Sequence, residues 1–280
     1  MPSHRLAVVG HIEWIRFARV PAVPEAGGIV HASETWEGAG GGGGVAAVQL
    51  AKLAGSSLFL SALGDDRTAD EARADLATKS VELHAATRPE PTRTALTMID
   101  DRHERTIVTL GDRLHPLEDD PLPWDRLAEV DGVLFTAGDA GVVRRARRAR
   151  VLVATSRALD VLAEADVPID AIVGSAVDPA ERYDRGDLPI EPGVVVRTEG
   201  SSGGTWETTD GRTGRYAPVP PPGPIVDTYG AGDSFEAGLT YGLAIGLDVA
   251  DAVVLATRCG AYAVSGRGPT GGQLRAADLD

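Results

Sequence analysis

Lysine is nearly absent from this chain: Lys52 and Lys79 are the only two among 27 basic residues, and both read as surface positions on helices. No Gly-x-x-x-x-Gly-Lys-Ser/Thr loop occurs. A Walker-type nucleotide hydrolase needs that lysine on the terminal phosphates, and a protein kinase needs one on a strand, so both phosphotransferase classes are disfavoured. Cysteine is scarcer still. Cys259 stands alone inside a helical pattern, so no disulfide forms within the chain and a reducing, cytoplasmic setting is expected. Long apolar runs are missing too. Leu6 to Val9, after one basic residue, is too short for a signal peptide or a membrane span. With four Phe, five Tyr and four Trp, nothing indicates an aromatic slot for a nucleobase. The formal net charge of −14 repels nucleic acid and anionic membranes, so neither is expected as a partner. The five arginines of Ala140 to Arg150 read as a solvated helix face for the same reason. Any phosphate affinity must be local, from backbone amides, metal or single arginines.

A chain of 280 residues with 43% hydrophobic content is long enough for a substantial globular core. Its most informative stretch is Ile225-Val226-Asp227-Thr228-Tyr229-Gly230-Ala231-Gly232-Asp233-Ser234-Phe235. Two β-branched residues read as the end of a strand, a Gly-Ala-Gly turn follows, and Phe235, Leu239 and Leu243 then recur at helical spacing with Gly238 and Gly242 beside them. Strand, tight loop and helix put Gly230, Ala231 and Gly232 at a helix N-terminus. There the first amides lack internal partners and the dipole is positive, which favours an anion such as phosphate. Asp233 falls in the first turn. A carboxylate beside a phosphate pocket repels the phosphate unless it takes a proton from an attacking hydroxyl. The plainer alternative is that Asp233 only stabilises the helix start.

The stretch Asp227 to Phe235 resembles the C-terminal signature of the ribokinase-like (PfkB-type) carbohydrate kinases, Asp/Asn-Thr-x-Gly-Ala-Gly-Asp-x-Phe, with every fixed position filled. The resemblance implies that Asp233 is the catalytic base and that the turn amides stabilise the transferring phosphoryl group. It also orders the rest of the chain. Thr198-Glu199-Gly200-Ser201-Ser202-Gly203 matches the family's Thr-x-Gly-x-x-Gly, which implies nucleotide contacts for Thr198, Gly200 and Gly203. Thr257 and Gly260, on the second helix of the C-terminal pair, are implied to border the adenine. Ser175-Ala176-Val177-Asp178 stands where the family has Asn-x-x-Glu, implying a metal-related role for Asp178. By the same resemblance a monovalent cation such as K+ is expected near Asp227, where Tyr229 replaces a common threonine.

Two departures concern the sugar. The family's first strand ends Gly-x-x-Asn-x-Asp; here Glu13 stands at the Asn position and Ile15 at the Asp position, with Glu13 the candidate replacement carboxylate and His11 or Trp14 lining the sugar. The run Gly40 to Gly44 leads into a helix through Leu50 and Leu53 and resembles the family's Gly-Gly-x-x-x-Asn-x-Ala, but Val45 replaces the Asn. Gly41 and Gly42 remain sugar-site candidates. Asp65 reads as the cap of a helix from Thr68 to Thr78.

Buried strands at Arg5 to Val9, Leu58 to Ser61, Val133 to Phe135, Val151 to Ala154, Ala171 to Gly174 and Val194 to Arg197 alternate with helices. This predicts an α/β fold: a doubly wound, mostly parallel sheet with helices on both faces. A hairpin is expected around Asp210-Gly211. Ile29 to Trp36, Thr94 to Asp100 and Arg105 to Leu110 predict a small antiparallel sheet, which the resemblance makes a lid over the sugar. The expected organisation is one ribokinase-like domain, 1–280, with lid strands from about 12–38 and 92–110. The expected activity is ATP- and Mg2+-dependent phosphorylation of a hydroxymethyl group on a sugar or sugar derivative. The alternatives are a nucleoside kinase on the same scaffold and a catalytically silent sugar-binding or regulatory protein. A lid edge strand points to a homodimer.

Overall fold

A computed structural model describes residues 4–279. In chain order the elements are β1 (Leu6–Val9), β2 (Glu13–Arg19), β3 (Glu34–Gly40), α1 (Gly41–Ala54), β4 (Ser57–Gly64), α2 (Arg67–Ala77), β5 (Val81–Arg88), β6 (Thr94–Ile99) and β7 (Arg105–Leu110). Then come β8 (Gly132–Phe135), α3 (Ala140–Ala146), β9 (Val151–Thr155), α4 (Leu159–Ala165), β10 (Ala171–Ser175), β11 (Val194–Thr198), β12 (Gly204–Thr208), β13 (Thr213–Tyr216), α5 (Ala231–Ala244) and α6 (Val249–Ala263).

Continuous apolar runs make strands that are covered on both faces. β1, β4, β8 and β10 are buried along their whole length. They lie in a nine-stranded sheet of order β13-β12-β11-β10-β9-β8-β1-β4-β5, parallel from β5 to β11 and antiparallel at the β11–β12 and β12–β13 pairings. Alternate side chains of β1 separate cleanly. Val8 packs under α1, α2, α5 and α6, while Ala7 and Val9 face α3 and α4. From β1 the chain runs through the second sheet to β4 and β5, then returns to β8 on the other side of β1. The order reverses between β1 and β8, and the crevice at the carboxyl ends of those strands is where an open α/β sheet binds ligands.

The second sheet has order β3-β2-β6-β7. It is mixed rather than antiparallel, since β2 and β6 run parallel. The expected strand over Ile29 to Trp36 lies later, at Glu34–Gly40, and a further strand, β2, lies at Glu13–Arg19 within the 12–38 stretch expected to supply the small sheet. Ile15 and Phe17 of β2 pack with Val45, Ala95, Ile99 and Tyr229, which joins this sheet to the α1 and α5 helices.

Other expectations shift for local reasons. Ile225 and Val226 form no strand; the Val226 and Asp227 amides both donate to Val264 O instead. Asp66, not Asp65, caps α2, accepting from Ala69 N at 2.7 Å and Thr92 N at 2.7 Å. Lys52 is no free surface charge. It is half-buried and donates to Thr270 O, and burial lowers its pKa to about 8. The Gly40 to Gly44 run leads into a helix as expected, with Gly41 onward already part of α1. Cys259 is buried against Leu53, Leu255 and Leu274, and burial pushes its thiol up to about 12. No helix among the described residues is long and apolar enough to cross a membrane.

The closest helix pair is α5–α6. A Cβ at Gly238 would stand 2.7 Å from Cys259 Sγ and 2.9 Å from Ala256 Cα. Alanine gains about 1 kcal/mol of helix propensity over glycine, but overpacking a tight core costs about 1–3 kcal/mol. Gly238→Ala is therefore expected to lower the melting temperature. A Cβ at Gly44 in α1 meets nothing within 4 Å, so Gly44→Ala is expected to leave the temperature unchanged or raise it. Thermal unfolding followed by circular dichroism separates the two.

Candidate active site

Two helix N-termini converge above the β1–β8 crevice. At α1, Gly41 has φ +74°, a backbone conformation that glycine adopts without strain, and it turns its amide to donate to the Tyr229 hydroxyl at 3.1 Å. The next amide, Gly42, donates to His11 Nε2 at 3.3 Å. At α5, Gly230 has φ +76°, and its absent Cβ makes room for Val45 Cγ1, 2.8 Å away from where that atom would lie.

Neither helix carries a side-chain cap, whereas α2, α3 and α6 are each capped by an aspartate. The first amides of α5 therefore stay available at the positive end of its dipole. Gly232 is exposed at this tip, with open space on its Cα, while Gly230 is buried and Ala231 half-buried.

One segment after α6 fastens these ends together. Gln273 Nε2 donates to Val45 O at 2.9 Å and to Ser234 Oγ at 3.1 Å, bridging α1 and α5. Gln49 Nε2 of α1 donates to Leu274 O at 2.8 Å.

Asp233 lies in the first turn of α5, and its Oδ1 is 3.0 Å from the position a Gly42 Cβ would occupy. The carboxylate thus faces the glycine end of α1. Burial raises its pKa to about 6, with Glu181 and Glu13 adding to the rise and Arg105 and Arg157 opposing it. A carboxylate so placed can accept a proton near neutral pH while the bare amides beside it receive negative charge. One turn along, Glu236 is pushed well above the usual carboxylate range by burial and by its neighbours Asp233 and Glu181.

The sugar-site candidates form the opposite wall. His11 is buried beside Gly41 and Gly42; burial and then the nearby arginines lower its pKa to about 3, so it is neutral. Its 3.7 Å approach to Glu13 is accordingly a contact between a neutral ring and a carboxylate. Glu13 opens β2 and is buried, with Arg93 Nε 3.3 Å from its Oε1. Burial raises the Glu13 pKa, and Arg93 and Arg113 draw it back. Trp14 turns away, donating from Nε1 to Glu37 at 2.6 Å. Ile15 and Val45, where the resembled family carries Asp and Asn, are both fully buried in the cluster around Tyr229.

The remaining candidates lie along the same edge. Thr198 ends β11 and donates from its hydroxyl to Gly174 O at 3.3 Å. Gly200 opens into free space, while a Cβ at Gly203 would strike Tyr216 O. Gly260 of α6 touches the α5 tip, 3.2 Å from Ala231 O by its Cβ position. Thr257 is turned inward to its own helix, bonding Val253 O at 2.8 Å. Asp178 starts a 3-10 turn over Pro179–Glu181 and pairs with Arg157 at 3.1 Å. Asp227 is buried; Oδ1 accepts from Tyr229 N at 2.8 Å, while Oδ2 has no hydrogen-bond partner among the described residues.

Besides Arg157, four participants escaped the sequence. Glu181 is joined to Arg157 and acts on both Asp233 and Glu236. Arg105, from the small sheet, donates to Thr228 O beside the α5 turn. Arg93 and Arg113 reach the cleft from loops that flank β6 and β7. None of the four lies in a recognisable motif. Among the described residues no three His, Cys, Asp or Glu side chains converge into a metal-binding group.

Comparison with known proteins identifies the family and the fold. The sequence matches the family described as pfkB family carbohydrate kinase over residues 3–161 and 169–275. It is 28% identical over 278 residues to the ATP-dependent ribose-1-phosphate kinase of Halopiger xanaduensis, an alignment covering 94% of this chain and 93% of that protein. The fold superposes on a putative ribokinase from Agrobacterium tumefaciens with a TM-score of 0.81 at 23% identity, covering 99% of this chain and 96% of that one. It superposes on Thermotoga maritima ribokinase with a TM-score of 0.78 at 17% identity, covering 98% and 97%. The match to both stretches, together with the ribokinase-like architecture, means that the chain belongs to the pfkB family of carbohydrate kinases.

Proposed function

We propose that the protein transfers the γ-phosphoryl group of ATP to a hydroxymethyl group of a sugar or sugar derivative. The observation that carries this reading is the Asp233 carboxylate, beside uncapped amides and facing Gly42, with its pKa raised to about 6. The relative named for an ATP-dependent activity on ribose 1-phosphate supports ATP as donor and a sugar derivative as acceptor.

In this reading Asp233 takes the proton of the acceptor hydroxyl as its oxygen attacks the γ-phosphorus. The amides of Gly230, Ala231 and Gly232 receive the charge that develops on the transferred group. His11 and Glu13, with Gly41 and Gly42, hold the acceptor. Thr198, Gly200 and Gly203 hold the nucleotide phosphates and ribose, and Thr257 and Gly260 border the adenine.

Asp178 and Glu181 fit a magnesium ion on the ATP phosphates, because two carboxylates share one guanidinium and magnesium accepts water-mediated ligands. When bound, that ion neutralises charge on the phosphates. The orphaned, buried Asp227 Oδ2 fits a monovalent cation such as K+.

Asp233→Asn is expected to lower turnover by about 10²–10⁴-fold, the usual worth of a positioned proton acceptor. Unchanged ADP release across sugars, sugar phosphates and nucleosides would sink the assignment. In the wild type the base works deprotonated, so kcat/KM should fall as pH drops through about 6. Stability runs the other way. A carboxyl raised in the folded state destabilises it above its folded pKa and is neutral in both states below the unfolded value. Asp233→Asn is therefore expected to raise the melting temperature at pH 8, with the gain gone by pH 3; melting curves at the two pH values test this.

The small sheet presents β7 as an edge strand with Ile107, Val108 and Leu110 exposed. Pairing with a second copy would cover that edge. The expected state is a homodimer that Val108→Asp dissociates, measured by light scattering; a wild-type monomer at micromolar concentration refutes it.

A further inference from the structure

A cleft of about 410 Å³ opens at the carboxyl ends of β8 and β9. Its walls hold Arg93, Arg113, His115 and Arg157, with backbone from 136–138 and one acid, Asp160. Three guanidinium groups crowd one opening in a chain whose net charge is −14.

Their pairing is uneven. Arg157 is committed to Asp178 and Glu181, by its Nη2 at 3.1 Å and its Nε at 2.5 Å respectively. Arg93 touches Glu13, yet its buried Nε lacks hydrogen-bond geometry to any acceptor among the described residues. Arg113 has no ion pair among the described residues and is exposed to the opening. Burial, and then the charge of Arg93, disfavours its protonated form, while Glu13 favours it. Bringing Arg113 beside Arg93 costs Coulomb energy that an anion held between them would reverse.

The cleft adjoins the reaction centre through a row of touching side chains, and the charges of Arg113, Arg93 and His115 act on His11. Arg93 contacts Glu13 at 3.3 Å, Glu13 contacts His11 at 3.7 Å, and His11 accepts from Gly42 at 3.3 Å, next to Asp233. An acceptor spanning this path has its hydroxyl at Asp233 and its other end among the arginines. These donors approach from three separate segments, after β5, β7 and β9. Convergence from several sides suits the three terminal oxygens of a phosphate, whereas one planar carboxylate is served by a single bidentate guanidinium.

We propose that the acceptor is itself a phosphate monoester, a sugar phosphate held by Arg93, Arg113 and His115, with Arg157 at the back, whose free hydroxymethyl group faces Asp233. This rests on the kinase reading and narrows it to a substrate class. The γ-phosphoryl group passes from ATP to the hydroxymethyl oxygen, the hydroxyl proton goes to Asp233, ADP leaves, and the phosphate in the arginine cleft keeps all its bonds. The product is a sugar bisphosphate.

Binding and turnover are to be measured separately. Calorimetry on the wild type and on Arg113→Gln uses ribose, ribose 1-phosphate, ribose 5-phosphate and ribonate, with inorganic phosphate as competitor. A charged hydrogen-bonding pair contributes enough for about 10- to 100-fold in affinity. The expected result is ribose 1-phosphate binding tighter than ribose by that factor and competed by inorganic phosphate. Arg113→Gln should erase the difference while leaving ribose binding and the melting curve unchanged. Arg93→Gln should weaken the same discrimination.

Equal binding of ribose and both sugar phosphates overturns the proposal. So does ribonate binding as tightly as the phosphates, or discrimination that survives Arg113→Gln. ADP release with the same compounds reads the kinase assignment independently. Discrimination without any turnover leaves the anion site standing and removes the kinase; turnover of ribose above ribose 1-phosphate does the reverse.

Discussion

The molecule depends on holding two helix ends, those of α1 and α5, against each other with their amides pointing into one crevice. Like partial charges repel, and each tip lacks a side-chain cap. Tyr229 and His11 offset this at α1 by accepting its first two free amides. Gln273 then bridges the helices from behind, through Val45 O and Ser234 Oγ. The α5 amides receive no such partner, so the arrangement is asymmetric. One tip is satisfied by side chains of the protein, and the other has no side-chain cap among the described residues.

Around that asymmetry the charges are graded. Asp233 sits where burial and the acids Glu181 and Glu13 outweigh Arg105 and Arg157, which sets it near 6. Across the crevice, burial and the arginines keep His11 neutral. The side chain that approaches Gly42 from α5 is therefore the one whose titration lies near neutrality, and the one from the β1 loop is fixed as a hydrogen-bond acceptor. Arg105 adds a link to the small sheet, since it reaches from β7 to the carbonyl of Thr228. Displacement of that sheet moves a positive charge relative to Asp233.

The sheet and the α5 turn were legible because their signals are local. Apolar runs give buried parallel strands, and Gly-Ala-Gly-Asp at a helix start gives an uncapped tip with an acid in its first turn. What was not legible depends on convergence. Arg93, Arg113 and Arg157 are separated by 20 and 44 positions and meet only because three loops end at the same edge of the sheet. β2 lies within the 12–38 stretch expected to supply strands to the small sheet, but its bounds were hidden because Glu13 and Arg16 interrupt its apolar residues; Ile15 and Phe17 alternate to one buried face. β5 is an edge strand with Glu82 and His84 in it, and its pairing with β4, not its composition, makes it a strand. Asp65 and Asp66 were equivalent on the page; only the turn geometry chose the second as the cap.

Ile15, Val45 and Tyr229 interlock, with Phe17 edge-on to the Tyr229 ring at 5.5 Å. Gly230 and Gly40 press directly against Val45 and Ile15. Returning one of these apolar positions to a hydroxyl-binding Asp or Asn would bury a polar group with no partner, at about 1–3 kcal/mol or more. The three side chains are thus mutually locking: a polar group at any one of them would be shut in by the other two.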